Sequence, residues 1–176
     1  MPHPHHSTVR EGLVTGLIGA LIVAAWYLAV DLGRGDILYT PNVMGQVFVQ
    51  GDTIPTLRTV TSEAVVQYSL LHFGVFLFLG LGLAGLTHLA VRNPSLRMAV
   101  WLGIVISFLF FLGFLYMLFW LTGQAFPWWT AFVASLVGIG SMGLYLWRGH
   151  PGLRSVGLPL GAEVKPPPHP PRAPRA

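Results

Sequence analysis

Residues 65–91 read VVQYSLLHFGVFLFLGLGLAGLTHLAV, a run without a single Asp, Glu, Lys or Arg. At ~1.5 Å of rise per residue, such a helix is longer than the ~30 Å hydrocarbon core of a bilayer is thick. Residues 13–32, 98–121 and 128–147 form three more apolar stretches of sufficient length. The expected fold is therefore all-α: a polytopic membrane protein in which residues 10–148 form a four-transmembrane-helix bundle.

The rest of the 176 residues leaves no room for a soluble domain. Only 9% are charged and the mean hydropathy is +0.65, whereas soluble chains carry roughly a quarter charged residues. The segments outside the spans are too short to build cores of their own. Cysteine is absent, so disulfides, iron–sulfur clusters and thiolate metal sites do not arise within the chain. A net charge of +4 suggests nucleic acid in a soluble protein. In a membrane protein its placement matters instead, and no nucleic-acid partner is expected.

Arg10 precedes the first span, Arg92 and Arg97 separate spans two and three, and Arg148, Arg154 and Lys165 follow span four. Only Arg34 and Arg58 lie on the other side, and the turn from Thr122 to Pro127 carries no charge. Arg172 and Arg175 are too distant to weigh strongly. The positive-inside rule then places both termini in the cytoplasm of a multi-pass inner-membrane protein. The first span resembles a signal peptide in following Arg10. Its length and the sequence Asp31-Leu32-Gly33-Arg34 suit a retained anchor instead.

Residues 1–9 form a polar N-terminus in which His3, His5 and His6 are at most a weak divalent-metal site. Residues 149–176 form a Pro-rich cytoplasmic tail, expected to be extended and solvated. The outer loop, 33–62, holds a short helix over 41–49. Thr40 is its expected N-cap and Pro41 its first residue, with Val43, Met44, Val47 and Phe48 on one face. That helix either lies on the membrane or folds over the mouth of the bundle. Thr61 or Ser62 is positioned to cap span two. Arg34-Gly35-Asp36 matches an adhesion tripeptide, a match that three residues produce by chance. Trp26, Tyr27, Tyr39, Trp120, Trp128 and Trp129 mark the outer interface; Trp101, Tyr145 and Trp147 mark the inner one.

Helices in lipid associate by close contact, so small residues indicate the buried seams. Gly12, Gly16 and Gly19 form one such stripe in span one. Ala131, Ala134, Ser135 and Gly138 form another in span four, and Ala99, Gly103 and Ser107 a third in span three. In span two, a projection at ~100° per residue puts Glu63, Gln67, Gly74, Gly85 and His88 on one face. That face is expected to be the bundle seam. Tyr68, His72, Phe76, Leu79 and Leu83 fall opposite, which turns His72 outward. Tyr68 and His72 then satisfy each other or a neighbouring helix, or else mark an interface to a partner or cofactor.

Chemistry is sparse. His72 and His88 stand ~24 Å apart along one helix and face opposite ways, so no intrachain bis-His haem site is expected. No Glu-x-x-His or His-x-x-x-His pair occurs within a span, so neither a metal nor another cofactor is expected. Asp31 and Glu63 lie at the outer interface, and Arg34 three residues on is the simple partner for Asp31. Spans three and four hold no ionisable residue except Tyr116 and Tyr145, which argues against proton-driven transport. No nucleophile–base pair or phosphate loop is present, and an enzyme is not expected.

Leu38-Tyr39-Thr40-Pro41-Asn42-Val43-Met44-Gly45, followed by Tyr68-Ser69-Leu70-Leu71-His72-Phe73, resembles a loose group of uncharacterised four-helix bacterial inner-membrane proteins. The resemblance covers residues 12–90. It implies that the loop helix and the Tyr68/His72 pair form one feature at the outer end of span two. The expected function is an accessory or scaffold subunit of a larger membrane assembly, with lipid and other membrane subunits or further copies as partners. The aromatic residues of span three (Phe108, Phe110, Phe111, Phe114, Tyr116, Phe119 and Trp120) motivate that expectation. The alternative is a small transporter or a ligand- or haem-binding membrane protein with a cavity near Tyr68 and His72.

Overall fold

The computed structural model describes residues 7–52, 59–93, 96–121 and 127–150. His3, His5, His6, Arg58 and the tail beyond residue 150 lie outside them. Five helices follow in order: α1 (Thr8–Arg34), α2 (Tyr39–Phe48), α3 (Ser62–Arg92), α4 (Arg97–Leu121) and α5 (Trp128–Gly149). No strand occurs among the described residues. Helices α1, α3 and α5 are each long and apolar enough to cross a membrane, and α4 carries an apolar stretch over Met98–Phe114 among the described residues. Large apolar side chains such as Leu21, Leu70, Phe78, Phe110 and Leu136 are exposed around the bundle, an exterior suited to hydrocarbon rather than water.

The antiparallel pair α1 and α3 is the spine of the fold. A Cβ added at Gly12 would lie 2.7 Å from Leu81 Cα, and one at Gly16 2.5 Å from Phe76 O. One at Gly80 would collide with the backbone of Gly12 and Gly16. Only missing side chains let the two backbones come this close, which is how helices gain contact where no water drives them together. Helix α5 closes on α1 through side chains seated over glycines: a Cβ at Gly138 would stand 2.6 Å from Val23 Cγ2, and one at Gly19 2.5 Å from Met142 Sδ. Ala131, Ala134 and Ser135 are buried along the same face of α5.

Phe76 is the hub. It is buried and meets Phe111 of α4 edge-on at 5.2 Å between ring centroids, a favoured aromatic geometry. Helix α4 packs on α3 and α5 with Val100 and Phe111 inward, and turns Leu102, Val105, Leu109 and Phe110 outward.

The inward face of α3 differs from the one its small residues suggest. Ala64, Phe76, Gly80, Leu83, Ala84, Thr87 and Ala90 are its buried residues, whereas added Cβ atoms at Gly74 and Gly85 meet nothing within 4 Å. Glu63 is exposed. Glycine marked the seam on α1 because the partner there is backbone; on α3 one glycine, Gly80, fills that role and Phe76 fills the core beside it.

Two left-handed residues turn the chain from α1 into α2. Gly35, at φ 83°, ends α1, and Leu38, at φ 67°, precedes α2. Thr40 does not cap α2 as its sequence position suggests. It lies inside the helix, and both its backbone N–H and its hydroxyl donate to the Asp31 carboxylate, at 2.8 and 2.7 Å. Helix α2 folds back onto α3, where Gly45 sits against the backbone of Ala64. Thr61 precedes α3 but makes no side-chain cap; its N–H and hydroxyl instead donate to Asn42 Oδ1 at 2.9 and 3.2 Å. Asn42 also donates to Thr59 O at 3.1 Å, so one buried amide holds the start of α3 against α2.

Candidate functional site

A cavity of about 370 Å³ opens between α1, α2 and the start of α3. Leu21, Ala24, Ala25 and Leu28 supply its α1 wall, and Val65 and Phe73 its α3 wall. The polar groups Tyr27, Asp31, Thr40, Tyr68, Ser69 and His72 also line it. Leu21 and Leu28 are exposed on the flank of the bundle, so the cavity opens sideways where lipid would lie, with α2 across its end.

Most of these polar groups are already engaged. Asp31 is 1% exposed, and its two oxygens accept the two Thr40 bonds. Asp31 is therefore a buried structural acceptor rather than an exposed charge at the helix end. Ser69 donates to Val65 O at 2.7 Å. The Tyr68 hydroxyl is the exception: it has no hydrogen-bond partner among the described residues.

His72 does not point away from the bundle. Its Nε2 lies 3.0 Å from Ala20 O on α1. A carbonyl only accepts, so Nε2 carries the hydrogen and Nδ1 of the neutral ring is left as an acceptor. Phe76 packs against the ring at 4.9 Å, Phe73 at 5.7 Å and Tyr68 at 5.8 Å between centroids. Tyr68 and His72 thus share a wall as tilted ring neighbours without bonding each other. A haem here would have to break the Ala20 bond to reach Nε2, and no second histidine lines the cavity.

A second cluster forms at the other end of the bundle, from residues that spacing within single spans does not connect. Glu11 lies in the first turn of α1, His88 near the end of α3 and His150 just beyond α5. Glu11 Oε2 is 2.6 Å from His88 Nε2, and Oε1 is 3.3 Å from His150 Nδ1. The two imidazoles meet edge-on at 5.1 Å. The usable signal was topological: alternating spans bring the start of the first and the ends of the second and fourth to one side. Comparison with protein-family models, with curated proteins and with solved structures finds no match to the chain.

Proposed function

We propose that this chain is a non-enzymatic integral membrane protein that holds an amphipathic small molecule between α1, α2 and α3. In this reading α4 completes a four-span bundle, both termini lie in the cytoplasm of a bacterial inner membrane, and the cavity occupies the outer half of the bilayer. The observation that carries it is the Tyr68 hydroxyl, unpartnered in a cavity whose remaining walls are largely apolar. A hydroxyl facing an apolar cavity with no protein partner is an unused donor and acceptor, to which a ligand's polar head would bond. His72 stands beside it with Nδ1 open to a donor, so an apolar body carrying one hydrogen-bonding head fits the wall chemistry. About 370 Å³ lies within the range of small-molecule sites.

The scaffold-subunit reading rests on the exposed face of α4, which lipid covers equally well. The ligand reading is tested by solvent extraction of the protein purified in mild detergent, followed by mass spectrometry. Wild type should yield one amphipathic molecule per chain, lost in Ala24→Trp and held less tightly in Tyr68→Phe. Equal recovery from wild type and Ala24→Trp, or recovery of bulk lipid alone, overturns it.

A further inference from the structure

We propose that Glu11, His88 and His150 form a binding site for a divalent transition-metal ion, with Zn²⁺ as the reference ion. One ligand atom from each residue can be chosen so that all lie within 4.8 Å of one another. Ligands ~2.0–2.2 Å from a tetrahedral ion stand ~3.3–3.6 Å apart, so side-chain rotation alone brings this set to coordinating geometry. Two imidazoles and one carboxylate are a donor set that Zn²⁺ and its neighbours favour over Mg²⁺ or Ca²⁺, which prefer oxygen alone.

The ligands are held by the fold rather than by a flexible loop. Glu11 is buried at the head of α1, and Thr15 donates to its backbone carbonyl at 2.7 Å. Gly149 leaves room for the carboxylate: a Cβ there would stand 3.4 Å from Glu11 Oε1. The His88 and His150 side chains keep 21% and 13% of their surface accessible, which gives an ion a path from solution and space for a fourth, non-protein ligand.

Coordination requires two proton movements that the present bonds define. His88 Nε2 must release the hydrogen it now directs at Glu11 Oε2: to its own Nδ1 if the ring is neutral, or to solvent if the ring is an imidazolium, so that a neutral ring coordinates through Nε2. His150 bonds Leu146 O through Nδ1 at 3.1 Å, so its hydrogen must move to Nε2 to free the Nδ1 lone pair. Leu146 O keeps the backbone N–H of His150 as a donor, also at 3.1 Å. Without an ion the same three residues are a hydrogen-bonded tie between helix ends, and the experiment must separate the two roles.

The test is a Co²⁺ titration of the full chain in detergent, in the background His3→Ala, His5→Ala and His6→Ala, which removes the N-terminal histidines. One Co²⁺ per chain should bind with the intense visible absorption of a tetrahedral site, and Zn²⁺ should displace it. Glu11→Gln, His88→Gln and His150→Gln should each weaken binding by at least ~10-fold, the loss that even outer-sphere changes produce. Zn²⁺ should also raise the Tm of the parent chain, and raise that of any folded triad variant less at the same concentration. Absence of a Co²⁺ spectrum and of a Zn²⁺-dependent Tm rise in the parent overturns the proposal. Undiminished binding in a triad variant does so as well.

Discussion

Asp31 and Thr40 lie nine residues apart and are joined by two hydrogen bonds, one to the Thr40 backbone N–H at 2.8 Å and one to its hydroxyl at 2.7 Å. The carboxylate at the end of α1 thereby supplies an acceptor to the first turn of α2, where unpaired N–H groups favour negative charge. Thr40→Val keeps the shape and removes one bond, at a cost of about 1–2 kcal/mol. The cost should fall toward zero when Asp31 is already alanine, because the acceptor is gone. Unfolding of the four species in detergent reads the coupling; equal costs in both backgrounds would show that the two residues act independently.

Two glycines of α3 should respond in opposite ways. Gly80→Ala places a methyl group against the α1 backbone at Gly12 and Gly16, so the helices must part. Gly74→Ala meets nothing within 4 Å and should be neutral, or stabilising by up to ~1 kcal/mol through helix propensity. Thermal unfolding of both variants is decisive, and comparable losses would contradict the described face of α3.

Asn42 joins α2 to the start of α3 through its side chain. Its carbonyl accepts from Thr61 N, Thr61 Oγ1 and Gln46 Nε2, and its amide donates to Thr59 O. Asn42→Ala leaves the Thr61 N–H without that acceptor and should cost about 2–3 kcal/mol. The segment between α2 and α3 should become more sensitive to limited proteolysis. An unchanged cleavage rate and an unchanged Tm would contradict this role.

Leu38 holds a left-handed backbone at φ 67°, a conformation costing ordinary residues roughly 1–2 kcal/mol. The residue is 40% exposed, so truncation loses only part of a full Leu burial. Leu38→Gly should therefore raise stability by about 1 kcal/mol, and Leu38→Val, β-branched at the same φ, should lower it. A fall in Tm with glycine would mean that the side chain's contacts outweigh the strain.

The all-helical bundle was legible in the sequence because the signal is local. Charge-free runs such as 65–91 must satisfy their backbone groups within one helix, and length then decides whether a bilayer can be crossed. The stripe of Gly12, Gly16 and Gly19 needed only the helical period to be found, and the structure places all three in close approach to α3 or α5. Thr40-Pro41 correctly announced a short helix, Tyr39–Phe48, although the capping acceptor came from Asp31 and not from Thr40.

What tertiary structure decided is which face meets which neighbour. The period of α3 left two stripes as candidates, and small residues pointed to the wrong one, because burial there depends on the α1 backbone opposite Phe76 and Gly80. His72 read as outward until Ala20 O supplied its partner. Glu11, His88 and His150 are dispersed along the chain and meet only because three helix ends reach the same side. Hydrophobic length is a property of one segment and can be read from it. A hydrogen bond or a ligand set across helices depends on rotation and register, which no single segment carries. That is why the spans were visible in the residues while both candidate sites, the Tyr68–His72 cavity and the Glu11 cluster, took their geometry from the packing.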